Sequence, residues 1–362
     1  MTHVLGPALS PAKAGTKDPI DAVIAWVDGG DPKHRAKRKR NLAQSGGDGK
    51  LEGSANRERR FSDNDEIRFC LRSIRNHAPW VRTIWLVTDD QVPAAIDRQG
   101  AEQENIRIVD HREIFRGYEQ LLPTFNSLAI ETMLWRIEGL TERFLYFNDD
   151  VMLVGPVEPT DFFLDNGKVK LRGRWSSWTQ LLDRGNSFNG SNKLLGAEML
   201  GFTSERFFSS AHVIAPLLRP AMEELFEEFK PAFVANAAYR FRDREQFWPI
   251  SAHDHLLLKA DRARVVKPRD CVHFSVQYCQ TASRDALEAK LKQLAEPTKR
   301  IACINYLEAV VDKVPDAMSY LSQATGPPTP FEKPYVPRRR TYSSRLRSAV
   351  RTLPMIRRAA VR

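Results

Sequence analysis

Short apolar runs that stop abruptly at acids recur along the first half of the chain. Ile20–Val27 runs into Asp28-Gly29-Gly30-Asp31-Pro32, Thr83–Asp89 ends in acids, Ile106–Asp110 is followed by His111, and Phe144–Phe147 stops at Asn148-Asp149-Asp150. Runs this short and this apolar predict strands buried on both faces. Between them the period changes. Ile67, Cys70, Leu71 and Ile74 fall at i, i+3, i+4 and i+7, predicting a helix over Ser62–His77 that Ser62 or Asp63 can cap and Pro79 stops. Ile130, Met133, Leu134 and Ile137 repeat the stripe in a second helix within Leu121–Leu140, with Asn126 or Ser127 as cap and Gly139 as terminator. Strand, helix and strand in alternation predict βαβ units in an α/β fold: a Rossmann-like, doubly wound, mainly parallel sheet. Ala221–Phe229 and Ala286–Glu296 read as further helices, whereas Val157–Gly201 loses periodicity and reads as a long aromatic-rich substrate loop.

The strand ends carry the candidate chemistry. In open α/β sheets ligands bind at the carboxyl edge. Asn148, Asp149 and Asp150 suit a hard divalent cation, Mg²⁺ or Mn²⁺, that also holds a diphosphate; the same three residues also suit an ordinary acidic turn. The Asp28–Asp31 stretch offers a backbone that a ligand can approach closely, but it is not a dinucleotide fingerprint. The amides after Asn126 and Ser127 could meet a phosphate or simply need a cap. His212 stands alone among apolar residues, and Arg240, Arg242 and Arg244 alternate before His253-Asp254-His255. Those last three, at i, i+1 and i+2, cannot all face one ion from a helix, which argues against zinc there.

Charge changes the picture only at one end. The net charge is +10, yet residues 336–362 hold nine arginines and no acid, leaving the remainder near +1. The tail has a single aromatic residue, Tyr342, so nucleic acid is a poor partner. It suits the anionic inner face of a membrane, or a solvated arm. No apolar run of about 18 residues occurs, the first 18 residues read as a loose leader, and four cysteines without a CxxC pair fit a reduced, cytoplasmic setting. Residues 33–60, starting KHRAKRKR, read as a mobile basic loop or a solvated helix. The expected organisation is a leader (1–18), one catalytic domain (19–333) and an Arg-rich tail (334–362).

Four stretches together resemble the Stealth proteins, the bacterial capsule polysaccharide phosphotransferases and their eukaryotic relative, N-acetylglucosamine-1-phosphotransferase. They are IDAVIAWVDGGDP; RFSDNDEIRFCLRSIRNHAPWVRTIWLVTDDQVP with VDHREIF, LPTFNSLAIE and RFLYFNDDVMLVGPV; AHVIAPLLRPAMEELFEEF with YRFRDREQF; and, more weakly, ACINYLEAV with PPTPFEK. The resemblance implies transfer of a sugar 1-phosphate from a nucleotide sugar, usually UDP-linked, to a hydroxyl of a glycan acceptor. A phosphodiester forms and the nucleoside monophosphate leaves, as in capsule or exopolysaccharide synthesis. It implies metal binding by Asp149 and Asp150, substrate contacts from Trp26, Asp28, Gly29, Gly30, Asp31, Asn126, Ser127 and Asn148, and phosphate binding by Arg242. His212 or His111 would be the general base, with His212 preferred because its region should face the acceptor. One departure is Tyr306, where the family pattern carries aspartate after Cys-Ile-Asn. The competing expectations are a metal-dependent glycosyltransferase and a catalytically silent glycan-binding relative.

Overall fold

The computed structural model describes residues 18–44, 64–183 and 187–334. The leader before Asp18, most of the basic stretch beyond Gln44, the proposed caps Ser62 and Asp63, and the tail from Tyr335 onward lie outside the described residues. Contacts divide the chain into Met1–Glu332, described below, and Lys333–Arg362.

The main sheet holds β1 (Ile20–Ala25), β2 (Val81–Thr88), β3 (Ile106–Asp110), β4 (Arg143–Asn148) and β8 (Ala215–Leu218), in the order β3-β2-β1-β4-β8. The first three pairings are parallel and only β8 runs antiparallel. The chain winds outward from β1 in one direction and returns to its other side with β4. The sheet is therefore doubly wound, with its switch point where Ala25 pairs with Asn148. The apolar runs form strands because both faces are covered: Val23, Ile24, Phe144 and Phe147 have no exposed surface.

Two smaller sheets complete the fold. In one, β10 (Cys271–Phe274) lies parallel to β11 (Ile301–Ile304), which pairs antiparallel with β5 (Val151–Leu153). Cys303 stands opposite Val151, and the Ile304 N–H donates to the Asp150 carbonyl at 3.0 Å. This pairing delivers the 305 region to the acids at the end of β4. The other joins β7 (Phe207–Ser210), β6 (Val169–Ser176) and β9 (Ala263–Val266).

Three expectations change. Val157–Gly201 is not a structureless loop; it contains β6 and the helices Trp178–Asp183 and Ser187–Glu198. Arg172 hid the strand, because it places a charge inside a buried run. Its guanidinium is matched by Asp270 at 2.7 Å and lies over the Phe162 ring. Gly173 is required beside it, since a Cβ there would meet the Ser209 carbonyl at 2.5 Å. Second, residues 33–44 are not a loop but lie in helix α1 (Pro32–Gln44), started by the Asp31 carboxylate, which accepts the His34 N–H at 2.8 Å. It buries His34, Arg38 and Asn41 despite its basic composition. Third, the helix expected within Leu121–Leu140 is broken into α-helix Ser127–Glu131 and a 3₁₀ turn at Leu134–Arg136. The Thr132 hydroxyl donates back to the Leu128 carbonyl and accepts from Asn236, which secures the end of the short helix. The apolar stripe stays buried all the same.

Helix α2 (Glu66–His77) packs against β5 and is tied to the end of this unit. Arg68 and Arg72 both pair with Glu332, at 3.2 and 2.5 Å. No helix among the described residues is long and apolar enough to cross a membrane.

Candidate functional site

The site grows from the carboxyl end of β4, at the switch point of the main sheet. Asn148 ends the strand, and its side-chain amide lies 3.1 Å from His212 Nε2. His212 comes from the segment between β7 and β8, which the antiparallel pairing of β8 with β4 carries to this edge. His212 Nε2 also faces Asp150 Oδ1 at 3.7 Å. The other oxygen of Asp150 accepts the Asn305 amide at 2.7 Å, and Asn305 Oδ1 meets His273 Nε2 at 2.7 Å. The rings of His212 and His273 stack 6.0 Å apart. Burial disfavours the charged Asp150 carboxylate, but the His212 and Asn305 contacts outweigh it and hold its pKa below the ordinary value.

Arg242 reaches the same neighbourhood from below. It donates to Ser127 Oγ and feels the charges of Glu131, Tyr146 and Asp150. Burial lowers its pKa and burial raises that of Glu131, each opposed by the other's charge. The segment carrying Arg242 is pinned by Asn126, whose amide donates to the Tyr239 carbonyl at 2.9 Å and to Gln246 at 2.8 Å. Asn126 also caps its helix by accepting the Leu128 N–H. Its side chain is 1% exposed and committed to these bonds. Asn126 therefore braces the segment beneath Arg242. Ser127 is likewise engaged by Arg242.

Trp26, Asp28, Gly29, Gly30 and Asp31 follow β1 on the same edge. Asp28 folds the turn by accepting the Gly30 N–H at 2.7 Å, and Gln91 clasps the Asp28 backbone at 2.9 and 3.0 Å. Trp26 is buried with its indole N–H unbonded.

His111 belongs to a different set. It is 2% exposed, and its charged neighbours are Asp89, Asp110, His34 and Lys37. Burial drives its pKa down from 6.5 to about 4. A histidine kept neutral in the fold protonates first in the unfolded chain. Stability is thus complete above pH 6.5 and drains away as pH falls toward about 4. At roughly 1.4 kcal/mol per pKa unit, about 3 kcal/mol is at stake. Urea unfolding at neutral pH and at about pH 5 checks this; His111→Gln should flatten the difference. The remaining histidines of interest, His253 and His255, are buried and accept backbone N–H groups of Leu218 and Phe208 at 3.0 and 2.9 Å.

Among the described residues, Asp150 marks a place where a metal could be held. Asp150 Oδ1 is buried without a hydrogen-bond partner, which is the state of an oxygen that a cation or donor would satisfy. Donor atoms of Asp150, His212 and Cys303 lie within 4.8 Å of one another. Asp149 is not in that group. The Cys303 thiol is pushed well above its usual pKa, chiefly by burial, so it opposes ionising to bind metal.

Models for Stealth conserved region 1 and conserved region 2 match residues 18–46 and 60–171. A capsular polysaccharide phosphotransferase of Haemophilus influenzae is 30% identical over 311 residues, covering 82% of this chain and 80% of that protein. The chain belongs to the Stealth family. A receptor polysaccharide phosphotransferase of Streptococcus oralis is 32% identical over 268 residues, covering 64% of this chain and 78% of that protein. An exopolysaccharide phosphotransferase of Streptomyces coelicolor is 38% identical over 244 residues, covering 66% of this chain. The chain spans only 24% to 53% of the length of four such Streptomyces relatives. Among solved structures, a galactosyltransferase bound to donor and acceptor sugar analogues aligns over 85% of this chain and 97% of its own, at 11% identity and a TM-score of 0.39.

The two matched Stealth regions contain Trp26, Asp28 to Asp31, His111, Asn126, Ser127 and Asn148 to Asp150, but neither His212 nor Arg242. The fold brings these last two to Asn148 and Asp150. It adds four residues that sequence reasoning left unassigned. Asn305 stood in the weak fourth stretch and Glu131 at the end of LPTFNSLAIE, so both were within quoted motifs. Tyr146 reads as core in an aromatic strand, and His273 had no signal at all. Tyr306, where the Stealth pattern has aspartate, packs partly buried against the core under β10 and β11, while its neighbour Asn305 supplies the polar contact to Asp150.

Proposed function

We propose that this Stealth protein transfers a sugar 1-phosphate from a nucleotide sugar, UDP-linked, to a hydroxyl of a glycan acceptor in capsule or exopolysaccharide synthesis. The observation that carries the reading is the convergence of His212, Asp150 and Arg242 at the switch point of a doubly wound sheet. Three separate stretches of a Stealth chain supply them.

The chemistry assigns each a task. The acceptor oxygen attacks the phosphorus that bears the sugar, an oxygen–phosphorus bond forms, and the phosphoanhydride breaks to release UMP. His212 takes the hydroxyl proton and Asp150 stabilises the imidazolium that results. Arg242 offsets charge on the phosphoryl oxygens, which is the main demand of such a transfer. The turn Asp28–Asp31 and Trp26 face the nucleotide, and Asn148 borders the transferred group. Mg²⁺ would be held by Asp150 together with Asp149; Mn²⁺ would serve as well. When bound, that ion neutralises the diphosphate.

Product analysis tests the reading. The chain is incubated with UDP-N-acetylglucosamine, UDP-glucose and other donors, a capsule-type oligosaccharide and Mg²⁺. UMP should appear, and Asp149→Asn should suppress it. UDP in place of UMP would mean glycosyl transfer. Tight donor binding with neither product would mean a silent relative.

A further inference from the structure

A chain of polar side chains runs inward from His212 and ends at a buried carboxylate. Asn148 is its first link, with Tyr146 Oη 3.0 Å from Asn148 Oδ1. Tyr146 Oη lies 3.2 Å from Glu131 Oε1. Glu131 is 3% exposed, and its other oxygen accepts the Trp248 indole N–H at 2.5 Å.

Proton counting fixes the direction of this chain. Tyr146 has one hydroxyl proton but meets two oxygens, Glu131 Oε1 and Asn148 Oδ1. A carboxylate can only accept, so Glu131 takes that proton. The Asn148 amide must then present its NH₂ to the tyrosine oxygen, which is the same side chain rotated by a half-turn. Its carbonyl then faces His212 Nε2, and Nε2 must carry a hydrogen.

We propose that Glu131, acting through Tyr146 and Asn148, holds His212 as the Nε2–H tautomer. That leaves Nδ1, which has no hydrogen-bond partner among the described residues, to take the proton of the acceptor hydroxyl. Glu131 is thus a positioning residue, and its catalytic consequence rests on the function proposed above. The titratable groups around His212 are Asp150, Cys303 and the stacked His273. None replaces the relay: Asp150 Oδ1 stands 3.7 Å from Nε2, beyond hydrogen-bond reach, and His273 Nε2 is turned to Asn305.

Glutamine at position 131 makes the proposal sharp. The Trp248 indole can only donate, so it claims the one amide oxygen of Gln. The NH₂ then faces Tyr146, and every bond in the relay reverses. Histidine ¹⁵N spectra of the full-length protein at about pH 8, where an ordinary histidine is neutral, read the tautomer directly without substrate. The wild type should show His212 as Nε2–H. Glu131→Gln should convert it to Nδ1–H, and Tyr146→Phe, which breaks the relay without reversing it, should give a mixture. Both variants should lose roughly 10- to 100-fold in kcat with donor KM unchanged, as outer-shell partners of a working group typically do. An Nδ1–H wild type, or an unchanged tautomer in both variants, overturns the proposal. The same spectra report whether each variant is folded. If the tautomer follows residue 131 but His212→Gln still turns over normally, the base assignment falls and not the relay.

Discussion

His212→Gln is expected to reduce UMP release by about 10²–10⁴-fold, the usual worth of a positioned general base. Glutamine can keep a hydrogen bond to Asn148 but cannot accept and hold a proton. The donor should still bind, because the Asp28–Asp31 turn and Arg242 are untouched, so the loss belongs in kcat. His111→Gln is the control with the same chemistry at the other candidate position. His111 is buried among Asp89, Asp110, His34 and Lys37, with its pKa near 4, and a group that resists protonation this strongly is a poor base at neutral pH. Its replacement should change stability and leave the turnover of folded protein near the wild-type value. Single-turnover rates of the two variants decide the matter. If His212→Gln retained turnover and His111→Gln lost it, the base would be His111.

Glu332→Gln should produce the largest loss of stability, about 3–5 kcal/mol, the range for removing one partner of a buried ion pair. Glu332 is 3% exposed on its side chain and faces two guanidiniums, Arg68 and Arg72, each 5% exposed. It also accepts the Thr329 N–H and hydroxyl at 2.9 and 3.1 Å. Glutamine keeps the size but takes the carboxylate away from Arg72, while Arg68 falls back on Asp65 at 2.6 Å. Burial works against the Glu332 carboxylate, yet Arg72 and Thr329 hold its pKa below the usual 4.5. A depressed carboxyl contributes stability above its unfolded pKa. That contribution is lost as pH falls through the folded value, so the wild type should weaken below about pH 4.5 while the variant does not share that loss. Urea midpoints across acid pH, read with an unchanged m-value, measure both effects. A loss under about 1 kcal/mol would place the cluster with ordinary surface pairs instead.

The locations of error are instructive about what a sequence carries. Arg172 disguised β6, because a buried charge reads as a surface residue until its partner Asp270, far along the chain, is known. Thr132 shortened a helix whose apolar stripe was otherwise regular, because a side chain returning to the backbone is invisible to periodicity. Asn126 reads from the sequence as a helix cap before a phosphate contact; the cap is present, and the bonds to Tyr239 and Gln246 that no local pattern announces make it a brace as well.

By itself the sequence determined the alternation of strands and helices, the acids at the ends of β1 and β4, and membership of the Stealth family. Those features are local: burial on both faces makes an apolar run, and a turn after it makes a short polar motif. Only the tertiary structure decided which distant residues share the site. His212 arrives through the antiparallel return of β8, Asn305 through the pairing of β11 with β5, and Arg242 through the segment that Asn126 pins. The assignment of Glu131, Tyr146 and His273 to that site belongs to the same level. Each is chemically unremarkable in its own stretch, and hydrogen-bond direction exists only between side chains that the fold has already brought within about 3 Å.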